Sequence, residues 1–184
     1  MQGAKRILIL KEQFLKLCKN SDFIELSFGS IDDYIEVSGI VCGVSDVFVV
    51  FQRINVWHAD GVFVLPYRSI VSWHQDEVQK YQIKILRWRG VVNKECYNWV
   101  DIKNYRLLFL SLKMKARTVF VSDHECADTG LIVDVGTDFV ELKVFSASGE
   151  WMSETVFFQF GNIVEIRIDD YYTQVLKEYA DRLT

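Results

Sequence analysis

One pattern occurs twice in this chain, and the repetition limits the available folds more than any other feature. Ser38-Gly39-Ile40-Val41-Cys42-Gly43-Val44-Ser45-Asp46-Val47-Phe48-Val49 and Thr129-Gly130-Leu131-Ile132-Val133-Asp134-Val135-Gly136-Thr137-Asp138-Phe139-Val140 both read as glycine, apolar run, short turn, Phe-Val. Self-similarity of this kind is the signature of one supersecondary unit used again. In each copy a second strand pair follows, over 61–73 and 152–168, and closes on Ile70-Val71 and Ile163-Val164. Both copies then reach an acidic step and a tyrosine, Asp76-Glu77 before Tyr81 and Asp169-Asp170 before Tyr171-Tyr172.

The residues inside the repeat point to strands. Val140, Leu142 and Val144 alternate with Phe139, Glu141 and Lys143, the period-two pattern of a strand with one buried face. Ser45-Asp46 and Gly136-Thr137-Asp138 supply turn chemistry between two β-rich runs, so each unit reads as a long hairpin. Gly39 and Gly43 suit a strand that bends sharply. Residues 23–28 and 118–122 provide a first strand for each copy.

Helices flank these strands. Arg6, Ile7, Leu10, Phe14, Leu17 and Cys18 fall at helical spacing within 5–20, with Asn20-Ser21 as a stop. Residues 105–113 are the equivalent before the second copy, although Leu107 to Leu110 also fit a buried strand. Asp169-Asp170 opens a terminal helix with Val175, Leu176, Tyr179 and Leu183 on one face and acidic residues suited to its dipole.

A helix followed by about five short strands, with a long bent second and third, resembles the Sm-like branch of the small SH3-like barrels. The likeness covers residues 23–73 and 118–168. RNA-binding Sm proteins carry an Asp followed by an Asn in the loop after the second strand, and an Arg-Gly before the last. Asp46 and Asp138 match the first element loosely, but no Asn follows and no Arg-Gly precedes Ile70 or Ile163. The resemblance therefore extends to the fold and not to the RNA-binding loops. Duplicated barrels of this kind are also similar to uncharacterised bacterial proteins, including immunity proteins that neutralise a toxin by binding it. The expected fold is thus mainly β with flanking helices, an α+β chain of two tandem small Sm-like/SH3-like barrel units. Each unit follows a helix and a further helix closes the chain. The expected boundaries are 1–86, a basic aromatic connector over 87–115 that is partly helical, and 116–184.

With half of its 184 residues hydrophobic, one proline and ten glycines, the chain can bury a core and has no flexible linker. The apolar run Ile7 to Leu10 meets Lys11 and Glu12 at once, which argues against a signal peptide, and charges interrupt every longer apolar stretch. Cys18, Cys42, Cys96 and Cys126 contain no CxxC pair. Together these imply a soluble cytoplasmic protein with reduced thiols and no membrane contact.

No nucleophile elbow, P-loop or HExxH motif is present. The histidines are His58, His74 and His124. Only His124-Glu125-Cys126 with Asp128 clusters possible ligands, below the three or four at set spacing that zinc needs. No catalytic residue, metal or cofactor is expected, and a small hydrolase or metalloprotein centred on His124 is the third-ranked reading.

Charge is more informative. Ten basic residues face two acidic ones over 80–117, whereas four face thirteen from 118 onward. Trp88, Tyr97, Trp99 and Tyr105 are interleaved with those cations, and Arg87-Trp88-Arg89 is the sharpest instance. Such a segment suits single-stranded nucleic acid through stacking and phosphate contact, or it pairs with the acidic second unit. The position of Glu141 in the second copy is Val50 in the first, so Phe48, Val50 and Val56 suggest an apolar outer face. The second barrel, a twin subunit or a foreign protein would cover it. The first-ranked function is a non-catalytic protein-binding module, of the immunity or inhibitor kind, that acts by occlusion. Trp57, Trp88, Arg87, Arg89, Trp99 and Trp151 are its candidate anchors, since aromatic and arginine residues dominate interface energies. A homodimer is a further partner option, and single-stranded RNA or DNA bound by the central segment is the alternative.

Overall fold

The computed structural model describes residues 2–30, 33–92 and 97–183, so Lys94, Glu95 and Cys96 of the basic stretch lie outside the described residues. The chain is mainly β, with ten strands and four helices among the described residues. It divides into two compact units, Met1–Asn98 and Trp99–Thr184.

The first unit runs α1 (Gln2–Asn20), β1 (Phe23–Gly29), β2 (Tyr34–Val44), β3 (Phe48–Asn55), β4 (His58–Pro66), β5 (Ile70–His74) and α2 (Glu77–Trp88). Its strands are ordered β5-β1-β2-β3-β4, and neighbours pair antiparallel. A single 3₁₀ turn, Tyr67–Ser69, carries the chain from β4 to β5. The second unit repeats the series as α3 (Tyr105–Met114), β6 (Thr118–Ser122), β7 (Ala127–Val135), β8 (Phe139–Phe145), β9 (Trp151–Gln159), β10 (Glu165–Ile168) and α4 (Tyr171–Leu183). Its order is β10-β6-β7-β8-β9.

The correspondence extends to single residues. The β2/β3 register slips between Val41 and Gly43, and the β7/β8 register slips at the matching place, between Ile132 and Asp134. One extra residue at such a bulge bends the strand. Gly39 and Gly130 sit opposite the partner strand so closely that an added Cβ would lie 2.1 Å from the Gln52 carbonyl oxygen and 2.2 Å from that of Lys143. Only glycine fits there. After β4 and β9 the amides of Tyr67 and Phe160 bond the carbonyls of Val47 and Asp138 at 3.1 and 2.8 Å.

Helices α1, α2 and α3 stop by one device. Past α1, Ser21 N–H bonds the Cys18 carbonyl and Asp22 N–H that of Leu17. Past α3, Ala116 and Arg117 do the same to Lys113 and Leu112, and past α2, Gly90 and Val91 to Arg87 and Leu86. Each closing residue is left-handed, with φ of 52° at Ser21, 49° at Ala116 and 69° at Gly90. This is the Schellman arrangement, which favours glycine, yet α1 and α3 end on serine and alanine.

Phe28, Phe48, Phe51, Phe63 and Leu65 are fully buried in the first unit, and Phe109, Val140, Leu142, Phe158 and Ile166 in the second. One helix is additional to those expected, and one expected helix face changes. Helix α2 was not foreseen as a close to the first copy. On α4, Val175 and Tyr179 are exposed and Thr173 and Ala180 are buried instead, because Asp170 binds Thr173 through both its amide and its hydroxyl and so fixes which side turns inward.

Candidate functional site

The hairpin between β3 and β4 holds the first unit's most strained backbone. Asn55 pairs with His58, leaving a two-residue turn of Val56 and Trp57, at φ 42° and 71°. Turns with both central residues left-handed are the domain of Asn-Gly, and a β-branched residue there is strained. His58 Nδ1 donates to the Val56 carbonyl at 3.1 Å and steadies the turn. Val56 is 78% exposed. The half-buried Trp57 packs on a cluster of Phe23, Ile40, Ile54, Ile83 and Leu86. A cleft of about 220 Å³ lies here, lined by the turn, by Phe23 and Ile54, and by Gln82 and Leu86 of α2.

Helix α2 forms because Asp76 caps it. Its carboxylate accepts from the amides of Val78 (2.7 Å) and Gln79 (3.2 Å), while the Gln79 side chain accepts from the Asp76 amide at 2.6 Å. This reciprocal box satisfies amides that a helix start leaves open. Gln79, Ile83 and Leu86 face inward. On the opposite side Val78, Tyr81, Ile85 and Trp88 are 58%, 64%, 43% and 84% exposed. Their spacing of three, four and three residues makes one continuous apolar stripe.

Cations rim the stripe. Lys84 Nζ lies 4.9 Å from the centre of the Tyr81 ring, Lys80 pairs with Glu77 at 2.6 Å, and Arg89 is exposed. Arg87 serves another purpose. Its guanidinium donates to the Asn20 carbonyl at 2.7 Å and approaches that of Ser21 at 3.4 Å, closing the C-terminus of α1. A cation suits that negative helix end.

The expected anchors thus separate. Trp57, Val56, Trp88 and Arg89 share the first unit's turn-and-α2 face, whereas Arg87 is a clamp within the fold. Phe48 and Val50 are 0% and 5% exposed, so the outer apolar face expected of them does not exist. Strand β3 has a neighbour on each side and is covered on both faces, which closes both residues to solvent. Trp99 and Trp151 belong to the second unit and are half-buried, one beneath Arg117 at 5.7 Å, the other against Phe145 at 4.0 Å with Lys143 over its ring. Val78, Tyr81 and Ile85 were not singled out as anchors. The Asp76-x-x-Gln79 box, read together with the spacing to Trp88, is the signal that marks them.

The other two functional readings find less here. Of the four aromatics interleaved with cations, Trp88 offers an open ring, whereas Tyr105 stacks on Phe160 at 5.3 Å and Tyr97 and Trp99 are half-buried. In the β6–β7 turn, burial together with Asp123 pushes the Cys126 thiol up to about 11, opposite to what a thiolate nucleophile requires. Desolvation works against the charge of Asp123, but amide bonds from Cys126 and Glu125 hold its carboxyl below the usual range. Asp128 is raised, chiefly by desolvation and then by Asp123. Among the described residues no three ligating side chains converge on a metal position, and no helix is long and apolar enough to cross a membrane. Compared with known proteins, the chain matches no family model, no curated protein and no solved structure.

Proposed function

We propose that the chain is a non-catalytic protein-binding module whose contact surface is the Val56-Trp57 turn together with the outer face of α2. The observation that carries this reading is the stripe Val78, Tyr81, Ile85 and Trp88, apolar and open on a helix whose other face is packed. A contiguous exposed apolar surface with a polar rim is the mark of an interaction site. Three outward cations, Lys80, Lys84 and Arg89, against two acids, Asp76 and Glu77, leave this face with a cationic excess that suits a partner with an acidic surface. Binding by occlusion, as an immunity or inhibitor protein acts, needs such a surface and no reacting group. Each five-stranded unit is read here as a small Sm-like or SH3-like barrel. The strand order, the glycine bend and the short turn before the last strand support that reading.

Affinity capture with the whole chain tests the proposal. Trp88→Ala and Tyr81→Ala are expected to release a specific protein partner, each weakening binding by about tenfold or more, as central aromatic anchors do. Trp151→Ala on the second unit leaves capture unchanged. Equal capture by all three variants overturns the assignment. Nucleic acid in the captured fraction, lost steeply with added salt, gives the result to the basic segment instead.

A further inference from the structure

The two copies can be compared position by position, because strand pairing and helix caps fix the equivalence. Gly39 pairs with Ile24 and Gly130 with Val119, so Phe23 and Thr118 are counterparts. Asp76 binds the amide of Gln79 and Asp170 that of Thr173, so Ile83 and Leu86 of α2 correspond to Lys177 and Ala180 of α4. In the first unit Phe23, Ile83 and Leu86 build the buried apolar cluster at the seam between first strand and last helix. In the second unit the same three places hold Thr118, Lys177 and Ala180.

This exchange takes apolar bulk out of the seam and puts polar groups in. A cleft of about 380 Å³ lies there, with Lys115, Arg117 and Thr118 along one wall and Asp169, Gln174 and Lys177 along the other. Thr118 is 5% exposed, and its hydroxyl has no hydrogen-bond partner. A buried hydroxyl in that state is costly, and the usual remedy is a bond to a neighbour or a bound molecule. Lys115 is exposed and pairs with no carboxylate among the described residues. Arg117 gives one N–H to Asp169 at 3.2 Å and retains others, while Lys177 pairs with Asp181. Three cations and a free hydroxyl face Glu178 and the already engaged Asp169.

We infer that this cleft of the second unit binds a small anion, a carboxylate or a phosphate ester, at Lys115, Arg117, Thr118 and Lys177. The site is independent of the protein-binding face of the first unit. It is a seam that one copy lines mainly with apolar side chains and the other has turned into a larger polar pocket.

Amide chemical shifts of the whole isotope-labelled chain test this, with inorganic phosphate and citrate titrated separately at constant ionic strength. Saturable shifts are expected at Thr118, Thr173 and Gln174 and not at Val56 or Trp57, and the anion that acts distinguishes phosphate from carboxylate ligands. Lys115→Gln, at an exposed position, should weaken binding by about tenfold, the loss that one charge-assisted hydrogen bond carries. Thr118→Phe with Ala180→Leu restores the first copy's side chains and should abolish it. If that pair prevents folding, the near-isosteric Thr118→Val takes its place and should also weaken binding. The inference falls if neither anion gives saturable shifts at the cleft, or if the variants bind as the original chain does.

Discussion

Val56 and Trp57 hold a turn that other residues would hold at lower energy. Val56 touches little, being mostly exposed, so its cost is almost purely conformational. Val56→Asn should therefore stabilise the protein by about 1 kcal/mol, since Asn tolerates left-handed backbone and valine does not. Urea unfolding measures this, and a loss of stability would contradict it. If the turn contacts a partner, the same substitution weakens binding while the fold gains, the usual opposition of stability and function. At this scale the sequence was readable in part. Trp57, Trp88 and Arg89 stand out by residue type. The burial of Phe48 and Val50 did not, because alternation along one strand cannot tell that both faces of β3 are covered. The role of Arg87 was equally hidden, since the carbonyls it binds lie 66 and 67 residues away.

Helix α2 shows why an element can escape notice. Its inward residues Ile83 and Leu86 are mixed with the outward stripe Val78, Tyr81, Ile85 and Trp88, so apolar residues fall on both sides and the helical period blurs. What remained legible was the cap. Asp76→Ala removes an acceptor for two amides and should cost about 1 kcal/mol of stability by chemical denaturation, within the range for N-cap loss. An unchanged midpoint would mean that packing alone sets the start of α2. The strands were easier to read: β1, β6 and the hairpins of both copies lie where glycine, turn and alternation put them. Helix α3 also formed where 105–113 allowed a helix or a strand, and the Asn104 side chain, accepting from Leu107 N–H at 2.9 Å, decides for the helix.

At the scale of the chain, one plan is executed twice with the same close contact at its centre. Gly39→Ala and Gly130→Ala should each cost at least about 2 kcal/mol, because the new methyl meets backbone that cannot step aside. Hydrogen exchange should then rise first over residues 23–74 for the former and 118–168 for the latter. Exchange that rises first in the opposite half would refute a local origin of the strain at each glycine. The repeat was legible because glycines and turns are punctuation that survives divergence, whereas the seam between first strand and last helix was not, since Phe23 and Thr118 have no resemblance to align. That seam has a consequence for how such a chain can change over generations. The strand ladder is held by backbone bonds that no side chain at the seam supplies, so those few positions differ between the copies while the strand order is kept. Doubling the plan lets one half keep an apolar seam while the other carries a polar one on the same strand order.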